Sequence, residues 1–305
     1  MLKEPRGQKL INRYKQNYHI GQNVEITEEM ILTHWELEKY LTHKLLISTP
    51  ENRRRIFAEC YSKLYRELTW LNDYVDTSRK KSTDRYRNWI NLIGKPPARI
   101  YEIGSGKGDL IRYLADCGYQ CRGTEITVER GSSYFANCSN ISWGFSDGIH
   151  LDQFEPLNSY DVVISSQVIE HLHPDDIVDH FKGVFSILQS GGKYILDTPH
   201  RYFGPSDVSR IFGYAEAQGM HLKEYNYHEI RSALKEAEFT RIYAVIRFPI
   251  LFGHLFSARK STRYLDYLLV VENGISPFAV PRLNPIIAII AKCIFFRTIF
   301  LVAEK

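Results

Sequence analysis

The first quarter of the chain carries apolar residues at the spacing of amphipathic helices. Between residues 27 and 71, apolar positions such as Ile31 and Trp35 recur every three or four residues, which places them on one helix face. The Thr-Pro-Glu run at 49–51 predicts the start of a second helix, because Thr can cap a helix and Pro fits its first turn. The pattern therefore predicts a helical N-terminal extension over residues 1–84.

Short β-rich runs alternate with helical runs from residue 85 onward. Such alternation forms βαβ units, so the pattern predicts an α/β fold with a doubly wound, mostly parallel sheet. Residues 85–305 are predicted to form one domain with an insertion at about 249–292, whose apolar stripes either pack in the core or form an apolar surface for a hydrophobic acceptor. Strands are predicted over 100–103, 120–126, 141–145, 161–165, 194–197 and 241–247, and helices over 109–116, 128–137, 174–188 and 227–237. A final apolar run covers 298–303.

The most informative stretch is a glycine loop between a predicted strand and a predicted helix, with the sequence IYEIGSGKGD at 100–109. Glycines let the backbone approach a ligand closely, and the following helix N-terminus presents free N–H groups. The GxGxxG pattern of dinucleotide-binding domains would need glycine at position 109, where this chain has Asp109. Glu102 would repel a pyrophosphate but suits a ligand with an ammonium group and a sulfonium. The loop glycines are Gly104, Gly106 and Gly108.

Carboxylates follow the next two predicted strands. Glu125 ends the second strand, where an acid can accept hydrogen bonds from both hydroxyls of a ribose. Asp147 and Gly148 follow the third strand, where the carboxylate could accept a hydrogen bond from the amino group of an adenine. The fourth strand runs into the sequence SQVIEHL at 166–172. Because ligands bind beyond the carboxyl ends of parallel strands, we expect these residues to face one site.

The ordered set of motifs over residues 85–305 resembles the class I S-adenosylmethionine (SAM)-dependent methyltransferases. The resemblance implies a seven-stranded Rossmann-like sheet, closed by an antiparallel strand at 299–304, and SAM as the cofactor. Another doubly wound nucleotide-binding domain is the structural alternative. Carried over from the family, the SAM-binding residues are Glu102, Gly104, Ser105, Gly106 and Gly108 around the methionine moiety, Glu125 at the ribose, Asp147 and Gly148 at the adenine, and Gln167 near the methyl group.

The candidate catalytic residues are Glu170 and His171, adjacent after the fourth strand, and His221, which precedes a later helix and is expected at the same rim. They are similar to the E-x-x-E-H plus distal His set of the small-RNA 2′-O-methyltransferases and the ubiquinone-pathway O-methyltransferases, where that set serves a divalent metal. Gln167 replaces the first, anionic position, and hard cations favour carboxylate oxygens, so a metal is not favoured. The alternatives are a metal-free base at His171 or His221 and a purely structural role for all three.

The loop after the fifth predicted strand and the aromatic residues supply candidate acceptor contacts. His200, Arg201 and Tyr202 leave that strand at the same rim, and the alternative is a loop held by its own aromatic packing. The chain contains 20 Tyr and 16 Phe, an excess over ordinary composition. Part of it is predicted to line an acceptor pocket, namely Tyr61, Tyr65, Tyr202, Phe203, Tyr225 and Tyr227.

Composition and charge narrow the class of partner. Lys and Arg number 39 against 35 Asp and Glu, a net charge of +4, which makes nucleic acid unlikely because such binders concentrate positive charge. The five cysteines show no metal-finger spacing and the N-terminus shows no secretory signal, which favours a cytoplasmic protein with reduced thiols. Lys292 and Arg297 interrupt the longest apolar run, so no transmembrane segment is predicted, while peripheral membrane contact stays open.

These observations predict a SAM-dependent methyltransferase that methylates an oxygen of a small-molecule or glycan-like acceptor. Positioning supplies much of the catalysis of methyl transfer, but an oxygen nucleophile must still lose its proton. Metal-assisted 2′-O-methylation of RNA is the first alternative and predicts a basic channel. A SAM-binding partner subunit without catalysis is the second, because Gln167 departs from the family pattern. The sequence contains no pattern that indicates an oligomeric state.

Overall fold

Eight strands form one mostly parallel sheet in the computed structural model. They are β1 (Arg99–Ile103), β2 (Gln120–Glu125), β3 (Ile141–Phe145), β4 (Tyr160–Ser166), β5 (Leu188–Pro199), β6 (Arg241–Ile246), β7 (Arg259–Ser261) and β8 (Thr298–Glu304). Their order is β3-β2-β1-β4-β5-β8-β6-β7, in which β1 to β5 are parallel to one another and β8 is antiparallel to β5 and β6. The predicted doubly wound α/β fold with a closing antiparallel strand is confirmed. The structure describes residues 4–71, 86–127, 129, 139–247, 258–275 and 295–305.

Helices precede the sheet and connect its strands. Among the described residues they are α1 (Gln8–Tyr18), α2 (Glu28–Leu46), α3 (Pro50–Glu67), α4 (Arg87–Ile93), α5 (Asp109–Asp116), α6 (Ile177–Ile187), α7 (Ser209–Phe212), α8 (Tyr227–Glu236) and α9 (Thr262–Ile275). The helix predicted over 128–137 falls, except for residue 129, outside the described residues. None of the helices described here is long and apolar enough to cross a membrane.

The sheet has one strand more than the seven predicted. The additional strand, β7, lies in the predicted insertion and pairs antiparallel with β6 at the sheet edge. Its sequence, Arg-Lys-Ser, is short, polar and largely exposed, so it lacks the alternating apolar pattern that reveals a strand. In the adjoining α9, Leu265, Leu268 and Leu269 pack in the main core, which favours the packing interpretation for that part of the insertion. The apolar stripe at 286–290 lies outside the described residues.

Two apolar clusters cover the two faces of the sheet. Side chains alternate between faces along a strand, so Val162 and Ile164 of β4 face one cluster while Val163 faces the other. In β5, Tyr194 and Ile195 divide in the same way. Because both faces are buried, β4 and β5 each contain a continuous apolar run, at 162–164 and 194–196, as strands of parallel sheets covered by helices do.

The N-terminal helices pack on the segment that follows β5. Thr27 caps α2, accepting a hydrogen bond from the Met30 N–H at 3.2 Å. Trp35 of α2 stacks on Phe212 of α7, with ring centroids 4.9 Å apart, and α3 packs against Met220 in a further apolar cluster. The proposed domain boundary at 84/85 falls within residues 72–85, which lie outside the described part of the chain, and it stays a prediction.

Candidate functional site

A cavity of about 480 Å³ opens at the carboxyl ends of the central strands. We call its two walls the sheet half and the helix half. The sheet half is formed by strand ends and the loops that follow them, and includes Glu102, Gly104, Ser105, Gly106, Lys107, Asp109, Glu125, Asp147, Gly148, Gln167 and His171. The helix half is formed by α2, α3 and the segment before α8, and consists of Glu38, Phe57, Tyr61, Leu64, Tyr65 and Met220. The cavity thus brings together most of the predicted cofactor residues, which come from four different strands.

The glycine loop forms the floor of the sheet half. Gly104, Gly106 and Gly108 have φ of 64°, 56° and 76°, a left-handed conformation that glycine adopts without strain. A Cβ on Gly104 would lie 2.8 Å from Cγ2 of Val168, so a larger residue would displace the loop after β4. Gly108 precedes α5 and shapes the loop without lining the cavity.

Glu102 places a carboxylate in the sheet half with one oxygen unsatisfied. The side chain lines the cavity, the residue is 4 % exposed, and Oε2 has no hydrogen-bond partner among the described residues. Burial and the neighbouring Glu125 raise the pKa of Glu102 well above its usual value. A cation at this position would pair with the carboxylate and offset the free-energy cost of burying its negative charge.

Glu125 and Asp147 hold the two loops next to the cavity. Glu125, at the end of β2, accepts a hydrogen bond from the Gly106 N–H. Asp147 Oδ1 accepts hydrogen bonds from the backbone N–H groups of Ile149 at 2.8 Å and His150 at 2.9 Å. Asp147 therefore fixes the turn after β3 in addition to lining the cavity, a structural task that the sequence did not reveal.

Gln167 sits in the bend after β4 with a left-handed backbone. Its φ is 57°, uncommon for a residue other than glycine. The Gln167 N–H donates to the Asp197 carbonyl oxygen at 3.0 Å, which ties the bend to β5. The side chain is exposed and borders the cavity.

Glu170, His171 and His221 converge as predicted, with one potential ligand atom of each within 4.8 Å of the others. The two imidazole rings are edge to face, with centroids 4.8 Å apart. His171 Nδ1 lies 2.9 Å from the carbonyl oxygen of Met220. Because a carbonyl can only accept, Nδ1 carries the proton in the neutral ring, and Nε2 is the basic nitrogen. Of the three residues, His171 lines the cavity.

Two ionisable residues, Glu170 and His221, lie next to His171 and do not line the cavity. Glu170 is fully buried, its Oε2 accepts a hydrogen bond from Thr198 at 2.9 Å, and its Oε1 has no partner in the described part of the chain. Burial raises the pKa of Glu170 to about 7, although the charge of His221 opposes the shift. For His221, burial lowers the pKa, but the hydrogen bond to Glu224 at 2.8 Å and the charges of Glu170 and Asp207 raise it overall to about 9. The raised pKa favours the protonated form of His221 at neutral pH.

A buried polar network in α2 supports the Met220–His221 segment and was missed by sequence reasoning. Glu38 Oε2 accepts a hydrogen bond from the Met220 N–H at 3.2 Å, and its Oε1 lies 2.7 Å from His34 Nε2. Thr42 donates a hydrogen bond to the Gly219 carbonyl oxygen. Three polar side chains on the otherwise apolar face of α2 were the available signal, since such groups are buried only when paired.

The aromatic residues predicted to line a pocket divide into two groups. Tyr61 and Tyr65 of α3 line the cavity, and the Tyr61 ring is edge-on to His171 with centroids 6.3 Å apart. The other four do not line it and pack in the main core instead, because the chain after β5 turns back onto the sheet. They are Tyr202, Phe203, Tyr225 and Tyr227.

The predicted acceptor contacts lie away from the cavity lining. His200 is fully buried among aromatic rings, and its N–H donates to the Arg297 carbonyl oxygen at 2.9 Å. Arg201 extends toward Glu229, with 3.3 Å between Nη1 and Oε1. These positions, together with the packed ring of Tyr202, favour the alternative of a loop held by its own aromatic contacts.

The strand order, the glycine loop after β1 and the acid that ends β2 together define the fold of a class I SAM-dependent methyltransferase. A family model described as "Methyltransferase domain" matches residues 78–244, more than half of the chain. The protein belongs to this methyltransferase family.

Solved structures of methyltransferases are similar to this chain at low sequence identity. A SAM-dependent methyltransferase from Archaeoglobus fulgidus is 19% identical, with 73% of this chain and 92% of that chain covered and a TM-score of 0.47. A SAM-dependent methyltransferase from Mesorhizobium loti is 15% identical, covering 73% and 100%, also with a TM-score of 0.47. Phosphoethanolamine N-methyltransferase 2 from Haemonchus contortus is 17% identical, covering 72% and 52%, with a TM-score of 0.46. No curated protein matches significantly.

Proposed function

We propose that the protein transfers the methyl group of SAM to a hydroxyl oxygen of a small-molecule or glycan-like acceptor, with His171 as the general base. The observation that carries the proposal is the position of His171: it lines the same cavity as the glycine loop. The Met220 carbonyl oxygen accepts a hydrogen bond from Nδ1–H of His171, so Nε2 is the basic nitrogen of the ring.

The sheet half fits the cofactor. The unsatisfied oxygen of Glu102 suits the ammonium group of SAM, and the backbone of Gly104, Ser105 and Gly106 lies where a methionine moiety can approach it closely. Glu125 would hold the ribose, Asp147 and Gly148 would border the adenine, and Gln167 would lie near the methyl group. When bound, SAM supplies a methyl carbon activated by a sulfonium, which an acceptor oxygen attacks in line as the C–S bond breaks to leave S-adenosylhomocysteine.

The chain's own contribution to the reaction is positioning and a proton acceptor. His171 Nε2 takes the proton of the acceptor hydroxyl as the new C–O bond forms. The edge-to-face contact with His221 and the hydrogen bond to Met220 fix the plane of the His171 ring. We assign Glu170 and His221 to holding the base in place, since neither lines the cavity.

A second candidate is metal-assisted methyl transfer, and one observation favours it. His171 and His221 each direct Nδ1 at an oxygen acceptor, at 2.9 Å and 2.8 Å. Metal-ligating histidines use this arrangement to aim the other ring nitrogen at the metal. Glu170 Oε1, buried and without a described partner, could complete three ligands. The neutral Gln167 in place of a fourth carboxylate weighs against a hard cation.

Substitution of the base tests the proposal. In His171→Ala, we expect methyl transfer from labelled SAM to fall by about 10²- to 10⁴-fold, as for loss of a general base, while the affinity for SAM stays unchanged. The matched control is His43→Ala, an exposed histidine of α2. Unchanged turnover in His171→Ala would contradict the proposal.

Metal dependence separates the two candidates. Turnover of the wild-type protein that persists in EDTA supports the metal-free base. Turnover that is lost in EDTA and restored by Mg²⁺ or Mn²⁺ supports metal assistance, which also predicts that His221→Ala and His171→Ala lose metal affinity together.

A further inference from the structure

The helix half of the cavity holds a buried hydroxyl that has no part in the proposed methyl transfer. Tyr61 is 8 % exposed, and its hydroxyl has no hydrogen-bond partner among the described residues. Buried polar groups in folded proteins are nearly always paired. An unpaired hydroxyl on the wall of a ligand cavity therefore indicates a group whose partner is the ligand.

The surroundings of Tyr61 are apolar except on the side of the base. Phe57 and Tyr65 flank its ring at centroid distances of 6.4 Å and 5.8 Å, and Leu64 lines the cavity beside them. His171 lies on the other side, edge-on to the Tyr61 ring. The part of the wall that α3 forms beside His171 is thus mostly apolar, and its polar groups are the hydroxyls of Tyr61 and Tyr65.

The charge of the cavity limits what this ligand can be. Among the described lining residues, Lys107 is the single Lys or Arg. An anionic acceptor would be repelled, whereas an uncharged one would not. The lining carboxylates are Glu38, Glu102, Asp109, Glu125 and Asp147.

We propose that Tyr61 donates a hydrogen bond to an oxygen of the acceptor, and that the acceptor is an uncharged hydroxyl compound with an apolar body that packs against Phe57, Leu64 and Tyr65. The assignment rests on the proposed function, because it places the acceptor between α3 and His171. Burial and the neighbouring Tyr65 and Glu170 raise the pKa of Tyr61, so the hydroxyl keeps its proton and acts as a donor.

Simple probes test this site without knowledge of the natural acceptor. Phenol, cyclohexanol and phenyl phosphate are titrated calorimetrically into the complex with S-adenosylhomocysteine. We expect the two neutral probes to bind and phenyl phosphate to bind at least about tenfold more weakly. Tyr61→Phe should weaken phenol binding by about two- to tenfold, the range for loss of one neutral hydrogen bond. Tyr40→Phe, at a 59 % exposed tyrosine of α2, is the matched control.

Three results would overturn the proposal in a protein that binds S-adenosylhomocysteine. They are equal or tighter binding of phenyl phosphate, unchanged phenol affinity in Tyr61→Phe, and no binding of either neutral probe. Thermal unfolding of Tyr61→Phe checks that the variant is folded. Failure to bind S-adenosylhomocysteine would instead remove the proposed function, and the acceptor assignment with it, so the two failures are distinct.

Discussion

The two halves of the cavity are built in different ways. In the sheet half, each group follows the end of a strand, so its position is fixed by the register of neighbouring parallel strands, as in the pairing of Glu102 with Gly123 and Ile164. In the helix half, the side chains come from α2 and α3, whose position depends on packing against the segment around Met220. We therefore expect cofactor binding to depend on the sheet, and the proposed acceptor site to depend on how the N-terminal helices dock. Substitutions in one half should therefore leave the function of the other largely intact.

The largest effect on cofactor affinity is expected for the unsatisfied acid of the sheet half. Glu102→Gln keeps the shape of the side chain but removes the charge proposed to pair with the ammonium group. We expect SAM affinity to fall by about 10- to 100-fold, the range for a hydrogen bond between charged groups, as measured by calorimetry. Glu236→Gln, at an exposed position of α8, is the control. Equal affinity in Glu102→Gln and the wild type would remove Glu102 from the cofactor site.

The pH dependence of SAM binding should report on the same carboxyl group. Its pKa is raised in the free protein by burial and by Glu125. A bound cation stabilises the ionised form, so binding releases a proton from any Glu102 that is protonated. SAM affinity should therefore rise as the pH increases from the ordinary carboxyl range toward the raised pKa of Glu102, by up to about tenfold per pH unit, and the dependence should flatten in Glu102→Gln. A wild-type affinity that falls with rising pH would contradict this assignment.

A smaller effect is expected in the helix half. Glu38→Ala removes the acceptor of the Met220 N–H and leaves His34 without its carboxylate, which should destabilise the fold by about 1–3 kcal/mol. Because Met220 also orients His171, we expect turnover to fall about tenfold, an amount consistent with misplacement of a catalytic group, with SAM affinity nearly unchanged. Glu38→Gln, which can still accept this hydrogen bond, should recover most of both losses. Loss of SAM affinity with unchanged turnover in Glu38→Ala would show that the helix half serves the cofactor instead of the catalytic base, and would contradict the prediction.

The sequence predicted the sheet half far better than the helix half, and the reason is physical. A glycine loop and the acids at strand ends are local patterns, and the parallel sheet brings them together whatever surrounds it. The role of Glu38 depends on contact with Met220, far away along the chain, and was visible only as a polar residue on an apolar helix face. His200 was expected at the rim, but its ring packs in the core against the rings of Tyr202, Tyr227 and Phe295. The strand β7 has no alternating apolar pattern from which it could be predicted.

Calorimetric titration of the wild-type protein with SAM and with S-adenosylhomocysteine shows whether the cavity binds the cofactor. If the cavity at the strand ends is the cofactor site, both ligands bind with a stoichiometry of one per chain. S-adenosylhomocysteine lacks the sulfonium but keeps the ammonium, ribose and adenine, so its binding should still depend on Glu102. Absence of binding by either ligand to a folded protein would contradict the account.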